Sequence, residues 1–226
     1  MDLFPLFNSL RVALIATVLT FFLGLLAANW VKKTPRILRG VLDAVLTLPL
    51  VLPPTVLGFF LLKIFGPHGP VGSLVASLFD AKLVMVWYAA VFASTAVAFP
   101  LMYRTARGAL QGFDPDLKDT ARISGFSDTA IFWRVTLPSC KQGIIAGTIL
   151  AFARALGEFG ATSMLAGYIP GKTATIATTV YQLWRTGDDR GAYIWVGINL
   201  AISCAALLAL NFIEGREKEG RGKVSG

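Results

Sequence analysis

The stretch DPDLKDTARISGFSDTAIFWRVTLP, Asp114–Pro138, decides how this sequence is read. It is polar and helix-patterned, yet it lies between long apolar segments. Asp114 followed by Pro115 predicts a helix start, because the carboxylate can accept from free N–H groups and proline suits the first turn. Asp116 and Asp119 add negative charge where the helix dipole favours it. Leu117, Ala121 and Ser124 recur at helical spacing, and Gly125 supplies a left-handed stop. Ser127 can cap a second short helix, with Ile131 and Val135 on one face and Leu137-Pro138 closing the unit. The expectation is two short helices bent about Ser124-Gly125-Phe126 on one side of a membrane. An ordinary amphipathic juxtamembrane helix pair would carry the same pattern.

The membrane follows from composition. Of 226 residues, 55% are hydrophobic and only 15% charged, with mean hydropathy +0.65. A soluble domain of average make-up is less apolar. Apolar runs of membrane-crossing length predict an all-α membrane protein with five transmembrane helices, at about 9–31, 41–65, 83–103, 143–166 and 193–213. They make one transmembrane domain over 9–213, followed by a polar tail over 214–226. Leu26-Ala27-Ala28 faintly resembles a signal-peptide cleavage site. The apolar core before it is too long, and no Lys or Arg precedes Arg11, so the first span is expected to be retained. Cys140 and Cys204 have no disulfide or zinc spacing. His68, in a Gly/Pro-rich turn, is expected at the surface, and no metal site is expected.

Loop charges set the orientation. Lys32, Lys33, Arg36 and Arg39 follow the first span, six Lys and Arg lie between Arg104 and Lys141, and four lie in the tail. The opposite loops hold Lys82, Lys172, Arg185 and Arg190. The positive-inside rule puts the N-terminus outside, with the C-terminus and the Asp114–Pro138 loop in the cytoplasm. The net charge of +8 is thus mostly topological, and no nucleic-acid footprint is read from it.

Two spans carry further signals. LPLVLPPTVLG places Pro49, Pro53 and Pro54 inside the second span, where lost backbone donors force a kink. A kinked helix lining a moving pathway and simple packing irregularity both fit. In ARALGEFGA, Arg154 and Glu158 are one helical turn apart and are expected to share a face deep in the fourth span. Intramembrane ions usually face a partner or a cavity. The pair can be purely structural, or Arg154 can lend positive potential to an anion path while Glu158 holds it. Gly157 and Gly160 beside them permit close helix approach. After GPHGPVGS, Gly66–Ser73, a short interfacial helix is expected to end at Phe79. Between the last two spans, Ile176, Thr179, Val180 and Leu183 can form one face of an outer amphipathic helix, or a plain loop.

Asp119-Thr120-Ala121, then Gly125, then Leu137-Pro138 resembles the EAA loop of ABC-importer permeases, with Asp119 in place of Glu and Thr120 in place of Ala. LPLVLPPTVLGFFLL, Leu48–Leu62, FPLMYRTARGAL, Phe99–Leu110, and LAFARALGEFGAT, Leu150–Thr162, occur in order around it. Together they resemble the molybdate ABC-transporter permeases, over about residues 9–213. Sulfate/thiosulfate and tungstate permeases are close relatives, and the double proline Pro53-Pro54 leans toward molybdate.

The resemblance implies a type I ABC-importer permease architecture in a prokaryotic inner membrane. It implies that two copies of the chain form the pathway through the lipid bilayer, and that an oxyanion-binding protein delivers the anion outside. A cytoplasmic ABC ATPase dimer would bind ATP and Mg, since this chain has no Walker A pattern and is expected to hold no cofactor and to be no enzyme. Asp119, Ala121, Arg122, Ser124, Gly125, Phe126, Leu137 and Pro138 would couple to that ATPase. Pro49, Pro53, Pro54, Arg154, Gly157, Glu158 and Gly160 are the pathway or gating candidates. An ion-coupled secondary carrier or a channel is the rival class, but the internal repeats of a carrier are not detectable here.

Overall fold

The computed structural model describes residues 2–222, with side chains described as far as Phe212. Among these residues the chain is helical and contains no strand. Helix α1, Phe4–Lys32, opens with Pro5 in its first turn. At about 1.5 Å per residue it is long enough to cross a ~30 Å hydrocarbon core. It packs along α5, Trp87–Gln111, whose Ala89, Ala90, Ala93, Ala98 and Ala106 are fully buried. A stripe of methyl side chains lets neighbouring backbones approach closely, which suits a helix enclosed on several sides. α9, Lys141–Leu156, packs on another side of α5, so α5 is the axis of the bundle.

The second expected span is not one kinked helix. α2, Arg36–Val51, and α3, Pro54–Phe65, meet at a bend of 110°. Pro49 lies inside α2, Pro53 is the residue before α3, and Pro54 opens its first turn. Leu52, ahead of Pro53, is extended at φ −70°, ψ 138°, as a residue before proline prefers. Consecutive prolines cannot extend α2, and the second of them starts a new helix. α4, Pro70–Phe79, begins inside the Gly/Pro-rich segment because Pro70 serves as its first residue, and His68 is exposed.

The loop between α5 and α9 holds α6, Pro115–Ile123, then α7, Asp128–Ile131, a π-helical turn over Phe132–Thr136, and α8, Leu137–Ser139. Leu137-Pro138 lies in the last piece of this second helical run. Helical structure continues through it to Ser139 and turns by 77° onto α9. Pro138 lacks the N–H an α-ladder needs, and the wider turn before it brings the Leu137 N–H to Phe132 O instead.

The fourth expected span is also shorter. α9 ends at Leu156, and α10, Gly160–Leu165, starts after a three-residue break, Gly157–Phe159. α11, Ile176–Arg185, is a helix rather than a plain loop, with Ile176 and Thr179 buried. α12 runs from Asp189 to Gly222, so its backbone continues through most of the expected polar tail. The tail side chains Arg216, Lys218, Arg221 and Lys223, and residues 223–226 altogether, lie outside the described residues.

By length and composition two helices can cross a membrane alone, Phe4–Lys32 and Asp189–Phe212. Counting each bent pair as one span raises the number to four among the described residues. α5 falls outside that set because its small residues and its Arg104 and Arg107 lower its apolarity, although it is the most enclosed helix.

Candidate functional site

The loop site is built by local capping. The Asp114 carboxylate accepts from Asp116 N at 2.9 Å, and Ser127 Oγ accepts from Ala130 N at 3.3 Å. Gly125 has φ +82°, in the left-handed region that side chains resist. Phe126 N donates to Ala121 O at 3.2 Å and Gly125 N to Arg122 O at 2.9 Å, which is the Schellman arrangement for ending a helix. The bend about Ser124-Gly125-Phe126 thus forms as the sequence predicts. Ser124 Oγ returns to Thr120 O at 3.0 Å.

Arg122 then fixes the angle between the two helices. Its Nη2 donates to Asp128 Oδ1 at 2.7 Å and its Nε to the same oxygen at 3.2 Å. Asp119 lies 3.9 Å from the same guanidinium. The hydrogen bond from Arg122 holds the Asp128 carboxyl below its ordinary range. Ile123, 89% exposed, and Phe126, 42% exposed, project at the bend, whereas Ala121 is buried. An apolar tip on a polar, capped loop is a surface suited to insertion into another protein. Leu137 and Pro138 are not at this tip but lie in α8, at the far end of the second helical run.

The second group of candidates lies at the two helix breaks. A methyl group added to Gly160 would lie 2.8 Å from Pro54 Cβ, and one added to Gly58 would lie 2.8 Å from Ala161 Cα. The start of α3 and the start of α10, each just after its break, are therefore in contact, and Pro54 meets Gly160 there. Gly157 ends α9 with open space around it, apart from its own helix at 3.7 Å. Pro49 is half-buried and stands three residues before the extended Leu52.

Arg154 and Glu158 form an ion pair at 2.8 Å, but not along one helix face. Arg154 is in the last turn of α9, and Glu158 lies beyond that helix in the break. Its other oxygen accepts from Ala161 N at 2.8 Å, in the first turn of α10. The cation thus sits at a helix C-terminus and the carboxylate at a helix N-terminus, where each dipole favours it. Glu158 is 2% exposed, while the Arg154 side chain is 32% exposed. The carboxylate is the anchored member and Arg154 the accessible one.

Several contacts have no counterpart in the sequence reading. Asp43 on α2 accepts from Tyr103 Oη and pairs with Arg107, both on α5. An acid inside an expected span, with a cation near the end of another, was the available signal. Lys32 Nζ donates to Leu110 O at 2.8 Å, tying the end of α1 to that of α5. At the opposite end, Asn8 Nδ2 donates to Ala174 O at 2.9 Å and Ile176 N donates to Ser9 Oγ at 2.8 Å. Arg11 stacks there over Trp87, 3.9 Å from its ring centroid. Nothing in local spacing announces these long-range clamps. Among the described residues no group of three or more metal-ligating side chains gathers.

Residues 20–213 match the family described as binding-protein-dependent transport system inner membrane component. The chain belongs to that family. It is the membrane permease subunit of an importer and lies in the inner membrane; ATP hydrolysis is the work of a separate subunit. A putative molybdenum transport system permease protein of Bacillus subtilis is 40% identical over 93% of this chain and 91% of its own length. The molybdenum transport system permease protein of Escherichia coli K12 is 39% identical, covering 94% of both chains. A sulfate transport system permease protein of Synechocystis is 33% identical over 89% of this chain and 72% of its own.

Solved structures agree with the permease fold. A bacterial alginate ABC transporter aligns at TM-score 0.69 with 17% identity, over 96% of this chain and 79% of that one. A methionine ABC transporter in inward-facing conformation aligns at TM-score 0.66 with 15% identity, over 92% and 94%. The all-helical fold thus resembles that of type I ABC-importer structures.

Proposed function

We propose that this permease imports a tetrahedral oxyanion, most closely molybdate, as a homodimer driven by a cytoplasmic ATPase dimer and fed by an oxyanion-binding protein. The observation that carries the coupling half is the Asp114–Pro138 loop. Two capped helices are turned at Gly125, braced by Arg122–Asp128, and present Ile123 and Phe126 outward. Such a tip fits a cleft in a partner, and Asp119, Ala121, Arg122, Ser124, Gly125 and Phe126 form it. Leu137 and Pro138 act at one remove, by shaping the run that joins the tip to α9. Relatives named for molybdenum transport support the cargo, with sulfate/thiosulfate and tungstate as the alternatives.

The homodimer is supported by α2, which buries no residue within the chain, although Val41, Val45, Leu48 and Val51 are exposed along it. We read the transmembrane domain as 9–213 with five crossings, α5 among them, N-terminus outside and C-terminus cytoplasmic. The clustering of Lys32 with the loop at one end, and of Asn8 and Arg11 with the segment around Thr173 and Ile176 at the other, is consistent with that order. In the pathway, Arg154 offers positive potential to the anion while Glu158 anchors it. The paired breaks at Pro53-Pro54 and Gly157–Gly160, with Pro49 nearby, give the helices a place to move.

The test is co-purification with the adjacent ATPase, then binding-protein-stimulated ATP hydrolysis with molybdate, tungstate and sulfate in turn. Molybdate should stimulate at the lowest concentration. Stimulation by sulfate alone would overturn the cargo, and no ATPase association would overturn the coupling.

A further inference from the structure

A cavity of about 410 Å³ opens behind the coupling loop, between the end of α1 and the α6–α7 bend. Lys32 at the end of α1 and Lys33 just after it line the cavity, with Lys118 and Arg122 from α6 and Asp128 the one carboxylate on its wall. Asp128 is already taken by Arg122. None of the three lysines pairs with a carboxylate among the described residues. Lys32 is held in place by its bond to Leu110 O, and Lys118 is half-buried. Three ammonium groups thus line one space whose single carboxylate, Asp128, is bonded to Arg122 and feels Lys118 and Lys33 only at longer range. Phe113 and Phe132 add apolar wall, and Asn29 adds an amide.

We infer that this cavity binds a phosphate-class oxyanion on the coupling-loop face of the permease. An anion among Lys32, Lys33 and Lys118 would remove their mutual repulsion and gain charge-assisted hydrogen bonds. A lipid phosphodiester and a free inorganic oxyanion share that chemistry, and the apolar wall leaves room for the glycerol end of a lipid. The site is separate from the Arg154–Glu158 break and does not depend on which anion is the cargo.

The experiment uses the full-length permease in detergent, as parent, as the Lys33→Gln/Lys118→Gln double variant, and as a charge-matched Lys63→Gln/Lys82→Gln control. Lys32 is left intact because its bond to Leu110 O is structural. Native mass spectrometry measures retention of phosphatidylglycerol against phosphatidylcholine, and equilibrium dialysis measures inorganic phosphate. The double variant should bind the anion roughly ten-fold or more weakly than the parent, with the control unchanged. Loss of phosphatidylglycerol alone assigns the site to a lipid headgroup, and loss of inorganic phosphate assigns it to a free anion. Both ligands bound by the double variant as by the parent, any loss matched in the control, or no binding of either ligand to the parent would overturn the assignment.

Discussion

Arg122 and Asp128 are joined across the Gly125 bend, two donors of one guanidinium meeting one carboxylate oxygen at 2.7 and 3.2 Å. Neither residue is buried, so the pair adds little to global stability. Its effect is on geometry, because it ties the last turn of α6 to the first residue of α7.

Asp128→Asn should therefore leave the permease folded and monodisperse while loosening the loop. Hydrogen exchange over 115–131 should rise, and ATPase pull-down should weaken several-fold. In the parent the Asp128 carboxyl is held below its ordinary value, so the folded loop binds that proton less tightly than the unfolded chain. The contribution is fully present above about pH 4 and fades as pH falls through the depressed value. The ratio of parent to variant pull-down should accordingly be flat from pH 5 to pH 8. A ratio that changes across that window would contradict this account of the brace.

Gly160 should tolerate no side chain, because Pro54 Cβ would stand 2.8 Å from the new methyl and Thr55 N 3.1 Å from it. Proline cannot yield as a flexible side chain would. Gly160→Ala should cost about 1–3 kcal/mol, read as a lowered melting temperature of the solubilised permease. Gly157→Ala is the control, since only Ala153 O lies near, at 3.7 Å. Equal melting temperatures for the two variants would remove the contact between the starts of α3 and α10.

The chain announced some of this and concealed the rest. Asp114, Gly125 and Ser127 act on backbone groups within a turn of themselves, so their caps could be read from neighbouring letters. Prolines 49, 53 and 54 announced a disturbance, but not a 110° turn, because the size of a bend depends on what receives the second helix. That receiver is Gly160, far away in sequence. Arg154 and Glu158 have the spacing of a helical pair, and they do pair, yet the helix stops at Leu156 between them. The carboxylate reaches Ala161 N on the next helix, a partner that helical periodicity does not foresee. Asp43, Tyr103 and Arg107 meet only because α2 packs on α5.

Glu158→Gln keeps an acceptor for Ala161 N but leaves Arg154 without its counter-charge. Breaking a buried pair costs about 3–5 kcal/mol, and the partial exposure of Arg154 reduces this to roughly 1–3 kcal/mol. Thermal stability should fall by that amount, and transport should fall more than for Asp119→Asn at the surface. If Glu158→Gln melts and transports like the parent, the pair neither stabilises the break nor serves the path.

Lys118 tests the orientation. Lys118→Cys should react with a membrane-impermeant maleimide only after the cells are opened, and Lys172→Cys should react in intact cells. Labelling of Lys118→Cys from outside would reverse the proposed topology.

Gly125 offers the most direct test of the coupling claim. A methyl added there meets nothing within 4 Å in the permease itself, so bulk alone should not disturb the fold. Its φ of +82° resists a β-branched residue at a cost of roughly 1–2 kcal/mol, confined to the loop. Gly125→Val should purify as an intact dimer, and Gly125→Ala should behave between Gly125→Val and the parent. The measurement is ATPase pull-down by the solubilised variant, with oxyanion-stimulated ATP hydrolysis read on the same preparation. Gly125→Val should recover little ATPase and show no stimulated hydrolysis; full recovery with normal stimulation would contradict a coupling role for the bend.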